Sequence, residues 1–360
     1  MRKMMSNKVN NFLRDDIDSL EEYKIINSKG MIKLDAMENP FDLDLNFEIT
    51  GLSSGSSNLN RYPDANCESL RKKLRAKYKI GKDHNIIFGN GSDELIQLIC
   101  LAFLKSKNTV LAPSPSFSMY EKISRVLGLK FKNVPLKNDF SLDISLMLKK
   151  IAELNPAIIF LAYPNNPTGN LWSKKDILEI INRSNGVVVI DEAYGAFSGQ
   201  SFVTEINKYE NLVIMKTLSK IGFAGIRLGY LFGENSLINN INKLRLPFNI
   251  NSISQKISDI SFENNEYIDE QITDLIKLKG NLTNQMKDIG KVKVYESKTN
   301  FVLFKILDTS ASDVFNYLIS CNILIKNMSS SPGLENCLRV TVGSEEENNL
   351  FIQSLKKSLI

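Results

Sequence analysis

The chain has 360 residues, with 45 Lys+Arg against 40 Asp+Glu, a formal net charge of +5, and is 43% hydrophobic and 24% charged. That balance excludes a polyanion binder by composition and a disordered chain, and the length fits about two domains, because single cores stop growing near roughly 250–300 residues. One histidine, His84, and four cysteines without a close pair (Cys67, Cys100, Cys321, Cys337) argue against a multi-histidine metal centre, a zinc knuckle or a redox CxxC motif. His84 lies in the polar run Lys82 to Asn85 and is expected in a solvated surface loop. The thiols are expected to be reduced, as in a cytoplasmic protein.

Met1 to Ser6 lead straight into polar residues, without the apolar run of about 7–15 residues that a secretory signal needs. Residues 1–45, with Gly30, Pro40 and scattered charge, read as an arm. Arg71 to Lys79 carries six positive charges, with Leu70, Leu74 and Tyr78 at helical spacing, and reads as an amphipathic helix with a solvated basic face. Short β-branched runs then alternate with longer amphipathic stretches. Ile86 to Phe88 precedes 93–104, Thr109 to Leu111 precedes 116–127, and Ala157 to Ala162 precedes 174–182. Further runs follow at Val187 to Ile190, Leu212 to Met215 and Leu228 to Phe232. This rhythm predicts a large α/β domain over 46–250, built on a mostly parallel sheet covered by helices. From 251 to 360 the pattern changes to a long helical stretch (about 263–289), short strands at 292–294, 301–306, 323–325 and 338–342, and helices near 312–320 and 345–359. A smaller α+β domain is expected there. No apolar run approaches the roughly 18 residues of a membrane span.

In an open parallel sheet, ligands bind beyond the carboxyl ends of the strands, so the residues just after each apolar run belong together. After Phe88 comes Gly89-Asn90-Gly91-Ser92-Asp93-Glu94, a glycine-rich turn into a helix start. It suits a phosphate on backbone N–H groups, or ordinary helix capping by Ser92. Tyr163 to Gly169, with two prolines and a glycine, is a rigid turn that can hold Asn166 at a set angle. Asp191 directly follows four apolar β-formers, a dry position in which a carboxylate needs a partner. Ser219-Lys220 follows the next run, with Gly222, Gly225, Arg227 and Gly229 behind it. A lysine amine among cations in a partly desolvated pocket has a lowered pKa and becomes a carbonyl nucleophile.

Together these parts fit a ligand with a phosphate, a protonatable ring nitrogen, a phenolic oxygen and an aldehyde, and pyridoxal 5′-phosphate has all four. In that reading Lys220 supplies the amine that condenses with the aldehyde, and Asp191 keeps the ring nitrogen protonated so that the ring acts as an electron sink. Tyr194 and Asn166 hydrogen-bond the phenolic oxygen. The Ser92 and Asp93 amides, Ser219 and Arg227 hold the phosphate. Phe117 either stacks on the ring or belongs to the core.

The segments Arg61 to Ala65 (RYPDA), GNGSDE, Pro115 to Tyr120 (PSFSMY), YPNNPTGN, VIDEAY, TLSK, Ala224 to Tyr230 (AGIRLGY) and Asn336 to Gly343 (NCLRVTVG) occur in order. With Leu34 to Pro40 (LDAMENP), they make the chain resemble the histidinol-phosphate aminotransferases, class II, fold-type I pyridoxal-phosphate enzymes of the aspartate aminotransferase superfamily. The resemblance implies an aspartate-aminotransferase-like fold and a homodimer with its active sites between subunits. It implies that Tyr62 reaches the cofactor phosphate of the second copy, and that Arg339 binds the acidic group of the substrate. Tyr23 and Asn39 are expected to contact substrate as well. Lys326 falls where many members carry a second phosphate-binding arginine, a departure that keeps the charge and loses the bidentate geometry. The implied reaction moves an amino group between L-glutamate and imidazole-acetol phosphate, giving 2-oxoglutarate and L-histidinol phosphate in histidine biosynthesis. An aromatic amino acid aminotransferase and a threonine-phosphate decarboxylase of the same fold are the alternatives. Neither nucleic acid nor membrane is an expected partner.

Overall fold

The computed structural model describes residues 12–14, 16–17, 20, 22, 26–42, 59–105, 107–263 and 265–360. Strand β1 (Ile32–Lys33) precedes helix α1 (Glu68–Tyr78), then β2 (His84–Asn90), α2 (Gly91–Ala102), β3 (Thr109–Ser114), α3 (Met119–Val126), β4 (Lys130–Pro135) and α4 (Ile144–Leu154). Next come β5 (Ile158–Ala162), α5 (Lys174–Arg183), β6 (Val187–Asp191), β7 (Leu212–Thr217), β8 (Leu228–Glu234), α6 (Asn235–Asn242), α7 (Ser252–Glu263) and α8 (Asn265–Lys287). The chain closes with β9 (Val292–Val294), β10 (Phe301–Ile306), α9 (Ala311–Ser320), β11 (Ile323–Leu324), β12 (Lys326–Asn327), β13 (Cys337–Thr341) and α10 (Glu345–Ser358).

Seven strands form the large sheet in the order β2-β8-β7-β6-β5-β3-β4. Every residue of β5, β6 and β7 is buried, which is why β5 and the first four residues of β6 and of β7 read as unbroken apolar runs: helices cover both faces of a parallel sheet, so no polar alternation survives. β8 departs from the parallel expectation and pairs antiparallel with both β7 and β2. Residues 218–227 between β7 and β8 hold only short turns, and a parallel return needs a crossover of a dozen or more residues.

The smaller sheet, β12-β13-β10-β9, is antiparallel among its described strands. β1 pairs in parallel with β11, and the Thr341 N–H donates to the Leu34 carbonyl at 2.8 Å, so the expected arm is fastened to the C-terminal part of the chain from residue 32 onward. The long interior of α8 buries Ile268, Ile272, Leu275, Leu282 and Met286, a helical stripe, and the helix packs on β9 and β10 of the smaller sheet and on the turn at 195–197. Among the described residues no helix is long and apolar enough to cross a membrane.

His84 is a correction. It opens β2 rather than lying in a loop, is buried at 7% exposure, and its Nε2 lies 3.1 Å from the Ile206 carbonyl. The polar neighbours that suggested a loop flank a strand end. The ring is taken inside by pairing of His84 with Glu234 on β8.

Candidate active site

β5, β6 and β7 run parallel in register, Ala162 beside Asp191 and Asp191 beside Met215, so the residues that follow them emerge side by side. Backbone bonds carry that alignment past the strand ends. Tyr163 N–H donates to the Asp191 carbonyl and Glu192 N–H to the Met215 carbonyl, each at 2.8 Å. A cavity opens there, lined by Met37, Ser92, Asp93, Phe117, Ala162, Asn166, Asp191, Ala193, Tyr194, Thr217, Ser219, Lys220 and Arg227. Nine of these were singled out from sequence as cofactor-binding, and they arrive from five different connections of the large sheet.

In the loop after β5 the two adjacent asparagines divide their work. Asn165 is consumed by the loop: its Oδ1 accepts from Ser116 Oγ at 2.8 Å, and its Nδ2 donates to the Pro115 carbonyl and to Thr168 Oγ1. Asn166 faces the cavity, donating from Nδ2 to the Tyr194 hydroxyl at 3.3 Å and accepting on Oδ1 from Arg339 Nη1 at 2.5 Å. Arg339 also donates from Nη2 to the Asp35 carbonyl and lies 5.2 Å over the Phe301 ring. The guanidinium is therefore aimed by its partners before any ligand arrives.

The turn between β2 and α2 forms the opposite end. Gly91 adopts φ +76° and donates its N–H to the Arg227 carbonyl at 2.8 Å, while Arg227 itself sits in the left-handed region at φ +51°. A Cβ on Gly229 would meet the Gly91 carbonyl carbon at 2.6 Å, so glycine there lets β8 pass directly beneath the turn. Ser92 is not the cap that its sequence position suggested. It lies inside the first turn, Asn90 is the cap, and the Asn90 side chain makes no capping bond. First-turn N–H groups have no intrahelical acceptor, so an anion is well placed to accept from them. Arg227 Nη2 lies 3.5 Å from Asp93 Oδ2, and Asp93 Oδ1 is a buried acceptor without a hydrogen-bond partner among the described residues. Ser219 Oγ is 2.9 Å from Thr217 Oγ1, which donates to the Leu228 carbonyl.

Between these ends lie the two groups with opposed electrostatics. Burial raises the Asp191 carboxyl to about 6, against hydrogen bonds from the Tyr120 hydroxyl (2.7 Å to Oδ2) and the Ala193 N–H (3.0 Å to Oδ1) that favour its ionised form. Burial, reinforced by Arg339, lowers the Lys220 amine to about 8. Lys220 Nζ donates to the Ala36 carbonyl at 3.0 Å and lies 5.9 Å from the Tyr194 ring centre. Burial also raises the Tyr194 phenol above its usual range. Among the described residues no cation lies within ion-pair distance of Asp191. A buried carboxylate held by two donors and lacking a cation suits the N–H of a protonated heterocycle, and pyridoxal phosphate fits this donor set.

Among the described residues, Arg339, Tyr62, Asn39 and Lys326 are expected residues outside the cavity lining, and of these Arg339 reaches it through Asn166. Tyr62 is 82% exposed, stacked on Phe248 at 4.6 Å. Asn39 donates to Gln271 Oε1 on α8 at 2.9 Å and accepts from the Phe41 N–H. Lys326 pairs with Arg339 across β12 and β13, which puts the two cations on one face of the small sheet. Tyr23 lies outside the described residues. Sequence reasoning missed Met37, Thr217 and Tyr120. For Tyr120 a signal existed: it follows Phe117 by three positions at a helix start, where the two side chains share a face.

The family described as Aminotransferase class I and II matches residues 30–355. The chain belongs to this family. It is 41% identical over 355 residues to histidinol-phosphate aminotransferase 2 of Nitrosococcus oceani, covering 98% of this chain and 99% of that protein. The crystal structure of the histidinol-phosphate aminotransferase from Clostridium acetobutylicum superposes with a TM-score of 0.83 at 26% identity, covering 91% of this chain and 98% of that one. The Sinorhizobium meliloti histidinol-phosphate aminotransferase, solved with pyridoxal-5′-phosphate, shares the fold at a TM-score of 0.86 and 20% identity, with 97% of each chain covered. As a class I and II aminotransferase the chain is a pyridoxal-phosphate-dependent enzyme with the fold-type I architecture.

Proposed function

We propose that this aminotransferase exchanges an amino group between L-glutamate and imidazole-acetol phosphate, giving 2-oxoglutarate and L-histidinol phosphate in histidine biosynthesis. The observation that carries this reading is the presence of two separate cationic ends. One is the cradle of first-turn amides and Arg227, suited to a cofactor phosphate. The other is Arg339 with Lys326 beside it, suited to the phosphate or carboxylate of a substrate. The 41% identity, over nearly the full length of both chains, to a relative of that name supports the same choice. The reading further takes the protein as a cytoplasmic homodimer divided near residue 250, with Tyr62 reaching the cofactor phosphate of the second copy and Tyr23 and Asn39 contributing to the substrate side.

When bound, the cofactor supplies an electron sink for the pair left at the substrate Cα. Lys220 is the nucleophile that holds the aldehyde. Lys220, whose amine is lowered to about 8 in the cofactor-free site, would then serve as the base and acid that moves the proton between the substrate Cα and the cofactor's C4′. Asp191 would hold the proton on the ring nitrogen, Tyr194 and Asn166 would donate to the phenolic oxygen, and Phe117, which lines the same cavity, would cover the ring. The Ser92 and Asp93 amides, Ser219 and Arg227 would bind the phosphate, and Arg339 would orient the substrate's acidic group.

The test is a half-reaction. Addition of histidinol phosphate to the cofactor-loaded protein is expected to abolish its visible absorbance band, and 2-oxoglutarate to restore it. A response to phenylalanine or threonine phosphate with none to histidinol phosphate would overturn the substrate assignment.

A further inference from the structure

Tyr120 closes the PSFSMY motif but carries none of the roles above, and it is fully buried, bonded to Asp191. Its ring lies parallel to Phe160 of β5 at 4.6 Å and meets Phe117, a cavity-lining ring, edge-on at 5.4 Å. Its hydroxyl donates to Asp191 Oδ2 at 2.7 Å. Packing on both sides fixes where the oxygen sits. The second Asp191 oxygen is held by the Ala193 N–H, so one donor comes from the carboxylate's own turn and the other from α3.

We propose that Tyr120 is a positioning residue that acts through Asp191: its hydroxyl orients the carboxylate toward the cofactor ring and keeps it ionised, and so sets how tightly a cofactor protonated at the ring nitrogen is held. The proposal rests on the pyridoxal-phosphate reading of the site and adds to it a residue on the far side of the carboxylate.

The electrostatic surroundings make the hydroxyl decisive. Asp93 on α2 and Glu192 on the same turn both push the Asp191 carboxyl toward its neutral form, as burial does, while Tyr120 and the Ala193 N–H oppose them. Tyr194 lies on the following turn, itself raised mainly by burial, and Lys220 and Arg227 line the same cavity from the segment after β7. Tyr120 keeps its proton in the working range, because burial and Asp191 hold its phenol well above the usual value, so it remains available as a donor to the ionised Asp191.

Tyr120→Phe removes one oxygen and keeps the ring against Phe160 and Phe117. Three measurements on the loaded and unloaded enzyme test the idea. The dissociation constant of pyridoxal phosphate is expected to rise by about 10-fold or more, the range of a hydrogen bond to a charged group. The pH below which binding weakens is expected to move upward, because the carboxylate loses a donor that stabilised its charge. In an Asp191→Asn background the same substitution is expected to change binding little, since the two residues act as one unit. Unchanged affinity and an unmoved pH midpoint in Tyr120→Phe, or equal losses in the wild-type and Asp191→Asn backgrounds, would overturn the proposal. Failure of the wild-type protein to bind pyridoxal phosphate at all would instead overturn the cofactor reading beneath it.

Discussion

The two ends of the cavity hold charge by different physics. At the ring end Asp191 is 3% exposed, meets no cation among the described residues, and has its carboxyl raised to about 6 by burial. At the phosphate end the Arg227 and Asp93 side chains are 50% and 43% exposed and face each other at 3.5 Å. Water screens the second pair and not the first. The ring end therefore acts through desolvation, where a single mismatched group is expensive, and the phosphate end through several weaker, replaceable donors. Substitutions should separate the two regimes.

The largest expected effect lies between them. Lys220→Ala is expected to lower turnover by at least about 10⁴-fold, because it removes both the nucleophile and the proton carrier, while cofactor binding survives through the other contacts. Steady-state rates and cofactor absorbance check this, and wild-type turnover in the variant would refute the nucleophile's assignment. Next comes the ring end. Asp191→Asn is expected to lower kcat by about 10²-fold or more, since a neutral amide cannot stabilise a protonated ring nitrogen, and the loss should be nearly the same at low and high salt. A loss that disappears at high salt would place Asp191 in the screened regime instead.

The phosphate end should yield less, and differently. Arg227→Ala is expected to weaken cofactor binding by about 10-fold with little change in kcat once the cofactor saturates, and the difference from wild type should shrink as salt rises. Gly229→Ala strikes the same end through the backbone. Its Cβ would press on Gly91 and on the Ser92 nitrogen, at 2.6 and 2.8 Å, so the turn must shift. Loosened cofactor binding and a melting temperature lowered by several degrees are expected, the size of a loss of about 1–3 kcal/mol.

How far this contrast was legible in sequence differs from end to end. The ring end was readable because β5, β6 and β7 are covered on both faces, so the apolar runs Ile158 to Ala162, Val187 to Ile190 and Leu212 to Met215 end abruptly and the polar group after each stands out. The spacing of Tyr120 from Phe117 hinted at a shared face, but the partner of its hydroxyl is 71 residues away, a distance that no local pattern records. β4 was passed over because its exposed edge carries lysine and asparagine, the charge that blunts an unpaired strand and also erases its apolar signature. α7 buries Ser254, Ser258 and Ser261, whose hydroxyls bond to backbone carbonyls, so its inward face looks polar in sequence. His84 failed in the opposite sense, a polar neighbourhood around a buried strand residue.

The smallest expected effect concerns the protein without cofactor, where the two desolvated groups, Lys220 and Asp191, should betray themselves through pH alone. The Lys220 amine is lowered to about 8 from its ordinary 10.5, so between those values the unfolded chain binds more protons than the folded one. Stability attributable to Lys220 therefore grows as pH rises from about 8 to about 10.5, and below 8 the buried ammonium opposes folding. Asp191 has the reverse sign, because its carboxyl is raised from 3.8 to about 6: the folded chain binds more protons between those values, and stability falls as pH rises through them. Lys279, also lowered to about 8 mainly by burial, contributes a slope of the same sign as Lys220, so the comparison must be between variants rather than on one curve. Lys220→Met keeps the volume and removes the charge. Denaturant unfolding of this variant without cofactor is expected to show a shallower rise between pH 8 and 10 than the wild type, and greater stability than the wild type at pH 7. Arg227→Met, at the screened end, should alter neither slope, and parallel curves for wild type and Lys220→Met would show that the amine is solvated after all.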